Sequence, residues 1–168
     1  NQLTLAIPVV LIDQDGSHFV DVMQVRVDDG LNPSLPSSVS GDNNVDEHGL
    51  LNKGTINTNG NITLESGSDD IASITLADDF NLSGISTRGG ESVSLNNTAN
   101  SKGWFIAKAD DTGQEVFRIK FNVDGSFEYI QRQAIDHANG DGTNHLTISF
   151  KVQAIDSDGD KSSAQTVN

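Results

Sequence analysis

A period of two is what most limits the folds open to this chain. Leu3, Leu5, Ile7, Val9 and Leu11 alternate along one extended segment, and Phe19, Val20, Val22, Val25 and Val27 follow. Ile71, Ile74 and Leu76 come next, then Val116, Phe117, Ile119, Phe121 and Val123. Most of these runs place their apolar side chains on one face of a strand. Turn signals separate them at Gly16, Asp29-Gly30, Asn59-Gly60, Gly89-Gly90, Asp124-Gly125 and Gly140-Asp141-Gly142. Short strands punctuated in this way predict an all-β fold, an antiparallel β-sandwich of immunoglobulin-like type. The clearest hairpin joins the Val116 run to residues 126–131 through Asp124-Gly125, a pair suited to a tight turn with positive φ. No amphipathic helix is expected. Residues 32–44, with Pro33, Pro36 and several serines, read as a linker between domain copies.

The two ends of the chain repeat each other. Residues 1–17 read NQLTLAIPVVLIDQDGS and residues 144–160 read NHLTISFKVQAIDSDGD, identical at 8 of 17 positions without a gap. The spacing, 143 residues from Asp13 to Asp156, is too long for a solenoid and fits a tandem array of whole domains. The expected organisation is one sandwich domain over residues 1–168. Within it, residues 1–36 carry strands from, or equivalent to, the end of a preceding repeat, and residues 37–168 form the main unit. Residues 3–28 are placed to cover the open edge of that sandwich.

Charge gives the chemistry. The net charge is −14, and aspartate outnumbers glutamate 19 to 5. Short carboxylates concentrated in glycine-rich turns suit hard cations that take oxygen ligands. The same field repels nucleic acid and anionic lipid, so neither is expected as a partner, and no direct membrane insertion is expected. The chain has no cysteine, which excludes disulfides and thiolate metal sites. Calcium at extracellular levels can take over the stapling role, since extracellular modules bind it at roughly 10⁻⁴ to 10⁻³ M.

The strongest motif is Asp156-Ser157-Asp158-Gly159-Asp160, with Asp13-Gln14-Asp15-Gly16-Ser17 as its counterpart in the repeat. Alternating carboxylates at a strand end, followed by a glycine that lets the chain turn, can aim several oxygens at one centre. Three carboxylates in five residues also repel one another unless neutralised. An EF-hand is excluded, because that loop has glycine at its sixth position and glutamate at its twelfth. The competing reading is an Asp-Gly turn whose carboxylates cap backbone amides. Paired acids at Asp28-Asp29, Asp46-Glu47, Asp69-Asp70, Asp78-Asp79 and Asp110-Asp111 are further ligand candidates, as are Asp136 and Asp141. The candidate calcium ligands are therefore Asp156, Asp158, Asp160, Asp13, Asp15, Asp136, Asp141, Asp69, Asp70, Asp28 and Glu47, with Ca2+ as the one cofactor.

Catalysis is poorly supplied, and the chain reads as a non-enzyme. His18, His48, His137 and His145 lack the spacing of a zinc site, and no nucleophile elbow, phosphate loop or dinucleotide fingerprint occurs. Paired carboxylates alone can hydrolyse glycosides, but Trp104 and Tyr129 are the only Trp and Tyr available as sugar platforms. Trp104 is expected to pack in the sandwich.

Several segments together resemble one family: VDDGLNPSL at residues 27–35, VDEHGLL at 45–51, SGSDDIASITL at 66–76, EVFRIKFNVDGSFEY at 115–129 and AIDHANGDGTNHLTISFKVQAIDSDGD at 134–160. They are similar to the tandem repeat of giant bacterial adhesins of RTX type, exported by type I secretion. The glycine-rich RTX nonapeptide itself is not in this chain. The resemblance covers nearly the whole sequence and implies a calcium-stabilised sandwich on the bacterial cell surface, with a role in adhesion and biofilm formation. Two roles follow from it. In the first, the domain itself binds a cell-surface peptide terminus or glycan through a calcium with an open coordination position. Alternatively it is an extender between neighbouring repeats, rigidified by calcium and without a ligand of its own.

Overall fold

Alternation of apolar and polar side chains becomes strand throughout. In a computed structural model, the described residues are 2–12, 14–28, 31–35, 39–42, 45–65, 67, 69–137 and 146–168. They fall into two compact units, Asn1–Leu31 and Asn32–Asn168. The first is an antiparallel hairpin of β1 (Gln2–Ile12) and β2 (His18–Asp28), in register from Gln2 opposite Asp28 to Ile12 opposite His18.

The second unit carries β3 (Val39–Asp42), α1 (His48–Lys53), β4 (Ile56–Ile62), β5 (Ile71–Leu76), β6 (Val93–Leu95), β7 (Phe105–Ala109), β8 (Glu115–Phe121), β9 (Ser126–Gln131), β10 (Phe150–Asp156) and β11 (Gln165–Val167). Six strands form one sheet in the order β3-β4-β9-β8-β7-β6, and three form another in the order β11-β10-β5. Every named pair is antiparallel. The unit is an all-β sandwich, because the buried faces of both sheets share one core. Phe105, Ala107, Phe117, Ile119 and Tyr129 line the larger sheet, and Ile74, Leu76, Phe150, Val152 and Ala154 line the smaller. Phe117 of β8 meets Phe150 of β10 edge-on at 6.2 Å between ring centroids, which joins the two layers.

The β8–β9 hairpin follows the sequence. Asn122 N donates to Ser126 O, Gly125 N donates to Asn122 O, and Asp124 Oδ1 accepts from Ser126 N and Ser126 Oγ. Strand β8 stops at Phe121, which leaves Val123 in the turn and exposed. Gly125 is required twice over: its φ is +86°, and a Cβ there would lie 2.3 Å from Ile62 O. That oxygen belongs to the residue whose N–H donates to Gly125 O. Gly125→Ala should therefore destabilise by about 2–3 kcal/mol, combining the left-handed penalty with strain on the adjoining ladder. Urea denaturation checks this, and a loss near zero would mean that the turn reshapes freely.

Two expectations are corrected. A six-residue helix, α1, occurs where none was anticipated, with His48 N held by Asp46 Oδ1 and the end set by Gly54 at φ 69°. Six residues are too few for a 3.6-residue pattern to register. The stretch read as a linker, residues 32–44, instead contributes Leu35 to the core at 1% exposure and β3 to the larger sheet. Ser34 bridges Glu65 through two backbone bonds, and its Oγ donates to Glu65 Oε2. Proline and serine suit an edge segment as well as a linker, so composition could not distinguish them. Trp104 is half-buried, with the Arg118 guanidinium 4.5 Å from its ring centre.

Candidate metal centre

The site arises where one strand ends and its neighbour begins. Along β10, Phe150, Val152, Ala154 and Asp156 alternate onto the buried face, so the core stripe finishes on a carboxylate that is only 4% exposed. A register shift between Ile155 and Asp156 sets Asp156 opposite Ile71, the first residue of β5. Asp69 lies two residues before that strand. Carboxylate oxygens of Asp69, Asp156 and Asp158 consequently lie within 4.8 Å of one another.

Hydrogen bonds fix the loop around them. Asp156 Oδ1 accepts from Gly159 N at 3.1 Å and from Asp160 N at 2.8 Å, and Gly159 turns at φ 97°. Asp160 O accepts from Asp156 N, so Asp160 takes part through its backbone. Buried Ser162 supports the return strand, accepting from Ala154 N at 3.0 Å and donating to Ser163 O at 2.9 Å. The amide-capping role is thus real for Asp156. It does not account for Asp69 and Asp158 converging on the same point.

Hydrogen bonds hold the central carboxylate in its ionised form. The Asp156 carboxyl is held below its ordinary value of 3.8, first by a hydrogen bond with the Asp158 carboxyl, against the opposing effect of desolvation, and then by the Asp160 and Gly159 amides. Two carboxylates so close repel each other when both are ionised, and a shared proton or a cation relieves that repulsion. Each of the three aspartates offers a hard carboxylate oxygen, a donor set that fits calcium and not a soft metal.

Among the described residues this group holds Asp69, Asp156 and Asp158. Asp15 Oδ1 accepts from Ser17 N in an ordinary turn, and Asp70 is exposed. Asp136 is exposed, with its N–H bonded to Ser86 O. Asp28 ends β2, while Asp13 and Asp141 lie outside the described residues. Glu47 belongs to a different arrangement: its Oε1 accepts from Gln131 Nε2 and from Ile135 N at 2.8 Å, and Oε2 lies 3.9 Å from His137 Nε2. Burial, and then the Glu47 charge, push the nearby Tyr129 hydroxyl well above its usual range.

The paired acids Asp78 and Asp79 do different work. Lys161 bonds Asp78 at 2.8 Å and Lys151 bonds Asp79, fastening the small sheet to the loop after β5. Neither lysine stands out in the sequence, because each is more than 70 residues from its partner.

A family model described as a domain of unknown function (DUF5801) matches residues 42–167, a span that includes all three clustered aspartates. No curated protein and no solved structure matches the chain.

Proposed function

The chain belongs to the DUF5801 family, and from that premise we propose that it is a calcium-dependent adhesion domain of a large bacterial surface protein. The observation that carries this reading is the convergence of Asp69, Asp156 and Asp158 at the meeting of β5 and β10. Bound there, calcium ties the end of one strand to the start of its neighbour and removes the repulsion among the carboxylates. The acidic charge and the 143-residue repeat support placement outside the cell in an array of similar units. The resemblance to RTX-type adhesins supplies the partner class: a cell-surface peptide or glycan whose oxygens complete the ion's shell. In this role the domain performs no catalysis.

The second reading, an extender stiffened by calcium, needs the same site without the ligand. One titration separates the two. The full chain is immobilised over a calcium series, and melting temperature is followed alongside binding to a peptide and glycan array. Binding that appears with stabilisation and is released by EDTA supports the adhesion domain. Stabilisation with no binding across a wide array leaves the extender, and absence of both removes calcium from the account.

A further inference from the structure

The first hairpin carries apolar side chains that lie exposed on both strands. Leu5, Ile7 and Val9 of β1 are 43%, 40% and 36% exposed, and on β2 Met23, opposite Ile7, and Phe19, opposite Leu11, are 50% and 61% exposed. A two-stranded hairpin alone is marginal in water, and an apolar face of this kind marks a surface that another element covers.

The second unit shows what such a hairpin packs against. At the 143-residue spacing, Ile7, Val9 and Leu11 correspond to Phe150, Val152 and Ala154, which are 6%, 0% and 0% exposed beside β5. The match extends from sequence to pairing. Ile12 opposite His18 repeats as Ile155 opposite Lys161. Further from the turn, Ile7 opposite Met23 repeats as Phe150 opposite Val167, displaced by one extra residue in the later copy. Buried Ser162, whose Oγ takes the Ala154 N–H, sits in the segment that absorbs it. Because a one-residue slip exchanges the two faces of a strand, this agreement puts the same apolar set on the same side in both hairpins.

We infer that the β1–β2 hairpin is the closing hairpin of another copy of this unit, and that its apolar face docks beside that copy's β5 as β10–β11 do in their own. The occupant is a second copy of the chain's own repeat. Along an array, each unit would then end in its own closing hairpin, in the segment just before the next unit begins. This rests on the repeat and the register, and is independent of calcium.

The test extends the full chain at its N-terminus with a second copy of residues 32–143, which restores the natural spacing. Hydrogen exchange is then read on the peptide covering β1. In the unextended chain its amides should exchange fast, and in the extended chain they should slow by on the order of 100-fold, to the level of β10. Val9→Asp should lower the melting of the added copy and leave the original unit unchanged. A control extension with residues 32–168, which brings its own β10–β11, shows that the added copy can fold. Equal exchange of β1 in the chain with and without residues 32–143 overturns the proposal. So does an added copy that folds only in the control.

Discussion

Replacing Phe117 with alanine is expected to destabilise the sandwich by about 3–5 kcal/mol, the range for losing a buried aromatic together with the cavity it leaves. Phe117 is fully buried in β8. Its ring lies 5.3 Å from Tyr129 within its own sheet and 6.2 Å from Phe150 in the other. The deletion therefore removes packing inside one layer and the contact between layers. Both neighbours come from strands fixed by hydrogen bonds on each side, so the void cannot collapse cheaply. Chemical denaturation of the full chain measures the effect. Val123→Ala is the reference: exposed beyond the end of β8, it should change stability by no more than about 0.5 kcal/mol. A loss below about 1 kcal/mol at Phe117 would mean that the two sheets do not share the core described.

How much of this was legible in the sequence depends on how local each signal is. The β8–β9 hairpin was legible because its determinants, alternating apolar residues around Asp124-Gly125, sit within a single stretch of chain. Strand β10 was legible for the same reason, and its continuation into Asp156-Ser157-Asp158 pointed at the strand end that forms the site. Asp69 was visible only as half of an acidic pair, because its proximity to Asp156 is created by β5–β10 pairing within the smaller sheet. That pairing has no local code. The same limit hid Lys151 and Lys161, which turn Asp78 and Asp79 into partners of lysines. Leu35 and β3 were misjudged because a proline- and serine-rich composition is shared by linkers and edge strands. Glu47 was selected for its charge, and its oxygen instead accepts from Gln131 and Ile135. Charge density finds acidic positions, and only the fold tells which of them face one another.

The double substitution Asp156→Asn and Asp158→Asn should abolish the response to calcium while leaving the fold in place. An amide oxygen at position 156 can still accept from Gly159 and Asp160 N–H groups, so the turn survives, but two of the three converging charges are gone. For the unsubstituted chain, calcium at 100 times its dissociation constant should stabilise by about 2.7 kcal/mol per site. In a unit of this size that is on the order of 10 °C in melting temperature. Magnesium should substitute poorly, since it holds its water and demands a tight octahedron. The sign of the mutant effect depends on the ion: the variant should be less stable than the parent in calcium, and equal or more stable in EDTA, where the parent's carboxylates repel unrelieved. The same change at Asp13 and Asp15 should do less, because among the described residues the clustered carboxylates are Asp69, Asp156 and Asp158. Acid provides an independent check. The folded value of Asp156 lies below 3.8, so its contribution is fully present above the unfolded value and is lost only as pH falls through the lower folded one. Calcium dependence should thus persist unchanged from neutral pH to about 5 and be lost only below the ordinary 3.8, as protons take the oxygens. A parent protein with identical melting curves in calcium and in EDTA would leave Asp156 as the cap of a turn and nothing more.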